Sequence, residues 1–305
     1  MKRIHFVILL LLVSGCAALS GSPQPSMSPL VTDSSDNLDG VLVKDSDLTF
    51  SVFREGVDGA IAGNHSRDLA RAYRIVSEAI GVEPSDVSWA QVAFTRDPGY
   101  QPPRVQDVTR WVVPLERSGS LGSKGMWALY QLVPHEQVHS IQGLFGPLPR
   151  WYSEGMAEWA GLKATAVLAP SIEAERRAQH DQQLAAATRP LSLASWGGVQ
   201  VKPEAFLRQL TPEQRRKKEA DPNYSPPGPF NFTPEDFVSD ESNTAARHAA
   251  SLALFEAIEA EAGPEGVRTW IAEVAKLPNP KRTNDIARLA KEIAGVDISK
   301  MLVGP

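Results

Sequence analysis

The sequence predicts an α+β fold that is mainly α-helical, with a small sheet early in the chain and a helical remainder. Three observations carry this. β-Forming residues gather in residues 87–95 and 109–115 on either side of a Pro/Gly/Tyr-rich loop, and Phe50 and Val52 lie in a further short strand. Beyond residue 120, apolar positions recur almost throughout at helical spacing. The chain has 305 residues, 42% hydrophobic and 22% charged, enough to bury a real core.

Taken in order, residues 17–46 are rich in Ser, Pro, Gly and Asp with few apolar positions, a composition that cannot offset its own ordering entropy and predicts a flexible tether. The globular domain is expected to run over 47–305, with a sheet and the first motif helix in 47–145 and a helical part in 146–305. Asn64 is placed to cap a helix that carries Leu69, Ala72, Tyr73, Val76, Ala79 and Ile80 on one face, and Gly81 ends it. Trp127, Tyr130, Leu132, Val133, Val138 and Ile141 mark a mostly apolar helical stretch interrupted by Pro134. Because proline cannot donate its amide, the helix proper is expected to start there. Further helices are expected over 153–167, 172–187, 243–262, 264–277 and 285–294, with a proline-rich loop over 217–236.

A formal charge of -5 and a pI near 5.7, without a basic stripe interleaved with aromatics, exclude nucleic acid as an expected partner. Lys2 and Arg3 precede an apolar run over residues 6–13, too short to span a bilayer but the right length for a signal-peptide core, so residues 1–15 are set aside from the fold. Val13-Ser14-Gly15-Cys16 resembles the bacterial lipoprotein cleavage box, which implies acylation of Cys16. Cys16 is the only cysteine, so no internal disulfide is expected. Two or more acyl chains, at about 0.8 kcal/mol per buried methylene, hold a soluble domain stably on a membrane. Export to the envelope is therefore expected, and Ala17 in place of Asp resembles outer-membrane sorting if the source is Gram-negative.

The chemistry lies in residues 135–139, His-Glu-Gln-Val-His. On a helix, positions four apart share a face, so His135 and His139 can converge on one ion while Glu136 projects beside it. A catalytic zinc needs a third protein ligand and one open position. Glu154 supplies the ligand from Trp151-Tyr152-Ser153-Glu154-Gly155-Met156-Ala157-Glu158, after a turn through Gly143, Gly146, Pro147 and Pro149. Ser153 can cap that helix, which would put Glu154 in its first turn.

The pairing of His-Glu-x-x-His with Trp-x-x-Glu-Gly-x-Ala-Glu resembles the gluzincin, or peptidase MA-like, zinc metallopeptidases over residues 127–162, and more weakly over 245–300. The resemblance implies a zincin-like fold, Zn2+ held by His135, His139 and Glu154, and Glu136 as general base. It also implies peptide or protein substrates. Glu158 matches the acidic residue that orients a ligand histidine, here His135. His248 occupies the place of a tyrosine or histidine that faces the metal and is the expected oxyanion donor, with Arg247 and Tyr152 as competitors. Trp151 and Trp159 are expected as packing, and His65 and His180 as surface histidines. The alternative is a non-catalytic zinc-binding lipoprotein, a pseudopeptidase that binds an envelope partner. Glu136 argues against it, because a structural zinc needs no base and prefers a closed shell of four ligands.

Overall fold

The computed structural model describes residues 40–45, 48–53, 59–84, 91–96, 110–187, 191–221 and 224–303. The signal segment, Cys16 and most of the expected tether lie outside these. A four-stranded sheet, β1 (Gly40–Asp45), β2 (Leu48–Phe53), β3 (Gln91–Thr95) and β4 (Arg110–Pro114), is ordered β1-β2-β3-β4. β1 and β2 are antiparallel, and the other neighbours are parallel. Parallel pairing of β2 with β3 requires a crossover, which α1 (Gly59–Ile80) provides. β1 falls inside the stretch expected to be tether. Its segment Gly-Val-Leu-Val-Lys-Asp carries only a short apolar run and becomes a strand by pairing register for register with β2.

α1 starts at Gly59, so Asn64 lies inside the helix and does not cap it. Its end is as expected: Gly81 takes φ +82° and its amide, with that of Val82, bonds the Ser77 carbonyl. The apolar face read from the sequence is the buried one, with Leu69, Val76 and Ile80 almost fully covered.

The helical remainder begins with α2 (Ser123–Trp127), passes through one π-helical turn (Ala128–Leu132), and continues as α3 (Val133–Gln142). Pro134 thus sits in the first turn of α3, near the expected start, but helix precedes it as well. The reason is local. Without an amide, Pro134 cannot bond the Tyr130 carbonyl four residues back, the turn before it widens, and the Thr165 hydroxyl donates to that carbonyl at 2.6 Å instead.

α4 (Arg150–Leu168) is the central helix, buried on nearly all sides, as expected of a helix that is apolar all round. It packs against α1, α3, α5 (Pro170–Ala185) and the long α8 (Thr244–Lys276). Tyr152 of α4 meets Phe255 and Trp270 of α8 with ring centroids 5.3 and 5.0 Å away, and each large ring buried there contributes about 1.5–3 kcal/mol. α8 is broken at Gly263 (φ 69°, ψ 177°), with Pro264 opening its second half, so the two helices expected over 243–262 and 264–277 are both present.

Between α5 and α8 lie α6 (Pro203–Gln209), α7 (Pro212–Ala220) and a two-stranded antiparallel sheet of β5 (Val199–Val201) with β6 (Phe237–Ser239). α7 occupies the first part of the expected loop, held by a capping box between Thr211 and Gln214. α9 (Thr283–Ala294) and α10 (Ser299–Val303) close the chain. No helix among the described residues is long and apolar enough to cross a membrane.

Candidate metal centre

α3 presents His135 and His139 one turn apart on one face, and their Nε2 atoms are 3.1 Å from each other. α4 brings Glu154 to the same point, with Oε2 3.4 Å from each of those nitrogens. Two glycines allow this closeness. A Cβ on Gly161 would lie 3.1 Å from the His135 backbone nitrogen, and one on Gly155 would lie 2.8 Å from the Ser251 carbonyl of α8. Small residues at those two positions let α3 and α8 approach α4 nearly backbone to backbone.

The local start of α4 differs from expectation. Pro149, in extended conformation, is the residue before the helix, and its carbonyl accepts from the amides of Tyr152 and Ser153. Ser153 is therefore within the first turn and Glu154 follows it. Freed from capping, the Ser153 hydroxyl donates to Gln142 Oε1, and Gln142 Nε2 donates to the Ser153 carbonyl at 2.7 Å. Gln142 Oε1 also lies 2.9 Å from His139 Nδ1. A proton on Nδ1 satisfies that contact and leaves Nε2 as the free lone pair.

The triangle fits a small divalent cation. Zinc bonds of about 2.0–2.1 Å to nitrogen and oxygen in tetrahedral geometry imply ligand-to-ligand edges of about 3.3 Å, close to the three separations present. Among the described residues, His135, His139 and Glu154 are the one group of such side chains whose ligand atoms converge in this way, and they can hold a metal ion.

The electrostatics point the same way. Burial disfavours the imidazolium of His139, but the Glu154 carboxylate and the charge of Glu136 more than offset this and lift its pKa to about 9. Burial likewise opposes ionisation of Glu154, yet the two imidazoles hold its pKa well below the ordinary carboxylate range. Two basic nitrogens and a carboxylate pressed together attract a cation, whether a proton or a metal ion. Glu136, half-buried, follows His135 on α3, and its charge acts on His139.

Glu158 lies one turn after Glu154 on α4, on the His135 side. Almost fully buried, it has Oε1 3.6 Å from His135 Nδ1, too far for a hydrogen bond but on the side away from the triangle. Burial opposes its charge, and His135 and Arg176 hold its pKa at about 2.

His248 also reaches the centre, one turn into α8. Its Nδ1 is 3.6 Å from both Glu154 Oε2 and Glu158 Oε1, and its ring lies against Trp196 at 5.0 Å. Burial lowers its pKa to about 4, against the pull of the two carboxylates. The competing donors are elsewhere. Tyr152 is buried in the aromatic core, and Arg247 donates to the carbonyl and carboxylate of Asp240. Trp151 and Trp159 are core residues whose indole N–H groups donate to Thr283 and Glu259.

His180 is not on the surface. It is 3% exposed, with Nε2 3.5 Å from Glu158 Oε2, and burial together with nearby Arg176 lowers its pKa to about 4. His65 is half-buried and stacks on Phe94 at 5.4 Å. Sequence reasoning also passed over Arg150, Gln142 and Arg176. Arg150 carried an available signal, since it stands four residues before Glu154, and its Nε is 3.8 Å from Glu154 Oε1.

Neither known protein families nor curated proteins give a match to this chain.

Proposed function

We propose that this chain is a zinc-dependent peptidase of zincin-like fold, with His135, His139 and Glu154 as metal ligands and Glu136 as general base. The observation that carries the reading is the triangle of two imidazole nitrogens and one carboxylate oxygen with edges of 3.1, 3.4 and 3.4 Å, flanked on the same helix by Glu136. Three protein ligands leave a tetrahedral ion one position for water or substrate, the arrangement of catalytic sites.

Zinc supplies Lewis acidity, polarising a carbonyl and lowering the pKa of water from nearly 16 to about 7 in favourable sites. Glu136 takes the proton of the attacking water as the new C–O bond forms at the peptide carbonyl. It then passes that proton to the amine as the C–N bond breaks. Gln142 accepts from Nδ1 of His139 and the Glu158 carboxylate faces Nδ1 of His135 at 3.6 Å, so that both Nε2 atoms are turned to the place the ion would take. Nδ1 of His248 lies 3.6 Å from two carboxylates and makes no hydrogen bond, so its Nε2 is the atom left to meet a developing oxyanion, as the N–H donor of the neutral ring.

Residues 1–16 support placing this activity at a bacterial envelope surface, with the lipid on Cys16 as anchor and the following segment as spacer.

The test is a matched pair, the parent protein and Glu136→Gln, each loaded with zinc and incubated with a quenched peptide library. We expect one zinc per chain in both and a loss of turnover of at least about 100-fold in the variant. Cleavage by the parent should stop with a chelator and return on adding zinc. Equal cleavage by the two proteins would show the base to be misassigned. Stoichiometric zinc without cleavage by either would favour the non-catalytic lipoprotein.

A further inference from the structure

Behind the triangle lies a layer of side chains converging on Glu158 from three helices, two of which, Arg176 and His180, no motif announces. Arg176, on α5, donates through its terminal nitrogen to Glu158 Oε1 and through Nε to Oε2 at 3.3 Å. His135 and His248 approach Oε1 at 3.6 Å each, and His180 approaches Oε2 at 3.5 Å. Glu158 is 1% exposed and the Arg176 side chain 15%, and the guanidinium is stacked over the Trp127 ring at 5.6 Å. Three imidazoles therefore surround a single carboxylate, and only one of them, His135, belongs to the triangle. Its rotation decides which oxygen meets which ring: Oε1 faces His135 and His248, and Oε2 faces His180.

The rigid fork of an arginine settles that rotation. Its two parallel donors match a carboxylate edge and fix the plane of the group, which a single ammonium cannot do. A buried ion pair is by itself weak evidence for stability, so the placement of this one behind a ligand histidine calls for another account. We propose that Arg176 is a positioning residue for the metal centre: by gripping both oxygens of Glu158 it holds that carboxylate towards His135 Nδ1, fixing the ring so that Nε2 faces the ion. This rests on the reading of His135, His139 and Glu154 as a zinc site.

The prediction concerns metal affinity and needs no turnover. The apo protein, Arg176→Leu, Arg176→Lys, Glu158→Gln and the double variant Glu158→Gln/Arg176→Leu would be titrated with zinc against a chromophoric chelator, and each melted without metal as a check on folding. Partners of metal-ligating histidines are worth 10–100-fold in affinity, so Arg176→Leu should weaken zinc binding by about 10-fold. Arg176→Lys should recover part of the loss. In the Glu158→Gln background the Arg176→Leu step should cost less than about 2-fold, because the side chain it acts through is gone.

A parent-like zinc affinity in Arg176→Leu, with only the metal-free melting point lowered, would overturn the inference and leave the zinc site standing. So would a full 10-fold loss that persists without Glu158. Absence of zinc binding in the parent itself would overturn the site reading and this inference together.

Discussion

The closeness of α4 to its neighbours at the candidate metal centre makes a quantitative demand on Gly155. A Cβ built there falls 2.8 Å from the Ser251 carbonyl oxygen and 2.9 and 3.0 Å from two ring carbons of Phe255. None of these can step aside cheaply, since the oxygen belongs to the α8 backbone and the ring is fully buried among Tyr152, Trp159 and Trp270. Overpacking of this kind costs about 1–3 kcal/mol, and contacts with a rigid carbonyl place it near the upper end. Replacing glycine by alanine inside a helix returns about 1 kcal/mol. The net expectation for Gly155→Ala is a loss of about 2 kcal/mol, a fall in melting temperature of about 4–8 °C for a domain of this size. Thermal unfolding followed by circular dichroism in the presence of a chelator measures it without interference from metal. Zinc affinity should fall as well, because α8 carries His248 within 3.6 Å of Glu154. A variant as stable as the parent would refute the claim that this glycine sets the distance between α4 and α8.

Gly161→Ala should behave differently. Its Cβ meets His135 N and Cα at 3.1 and 3.2 Å, a milder conflict that the helix gain of about 1 kcal/mol roughly balances, so zinc affinity should drop with the melting temperature nearly unchanged; the reverse pattern would contradict it. Thr165→Val removes the hydroxyl donated to Tyr130 and should destabilise by about 1–3 kcal/mol in denaturant titrations. Asp240 supplies the pH dependence. Hydrogen bonding from Arg247, opposed by partial burial and aided by Ser242 and Ser195, lowers its pKa, so its stabilising contribution is complete above the unfolded value near 3.9 and fades as pH falls through the lower folded value. Asp240→Asn should therefore be less stable than the parent at pH 7, by about 1–3 kcal/mol, and lose less on acidification from pH 5 to pH 2; parallel acid profiles would count against it. Cys16→Ser should move the protein from the membrane to the soluble fraction of its source cells or a bacterial host, and unchanged fractionation would argue against a lipid on that residue.

The contrast between what was legible in the sequence and what was not follows the range of the interactions. His135, His139, Glu154 and Glu158 could be read in advance because helix periodicity fixes which side chains share a face, and two helices joined by a short turn have few ways to oppose those faces. The break at Gly263-Pro264 and the stop at Gly81 were readable for the same reason, since φ preference and a missing amide act within a turn. Helix starts were less so. Asn64 and Ser153 have the right chemistry for caps, but their helices begin earlier, at Gly59 and just after Pro149, and Ser153 is instead committed to Gln142, a partner eleven residues away. The strand at Gly40–Asp45 depends on its pairing with β2, and the small sheet of Val199–Val201 with Phe237–Ser239 joins strands of three residues each across a long stretch of chain. Pairing that distant leaves little periodic trace in so few positions. His180 is the sharpest case. Its neighbours on α5 are charged and the helix reads as solvent-facing, yet the side chain is buried because Glu158 on another helix draws Arg176, one turn earlier on the same face, inward beside it. What periodicity conveys is the meeting of His135, His139 and Glu154; the layer behind it, three imidazoles and Arg176 around the carboxylate of Glu158, is a tertiary arrangement that leaves no local trace.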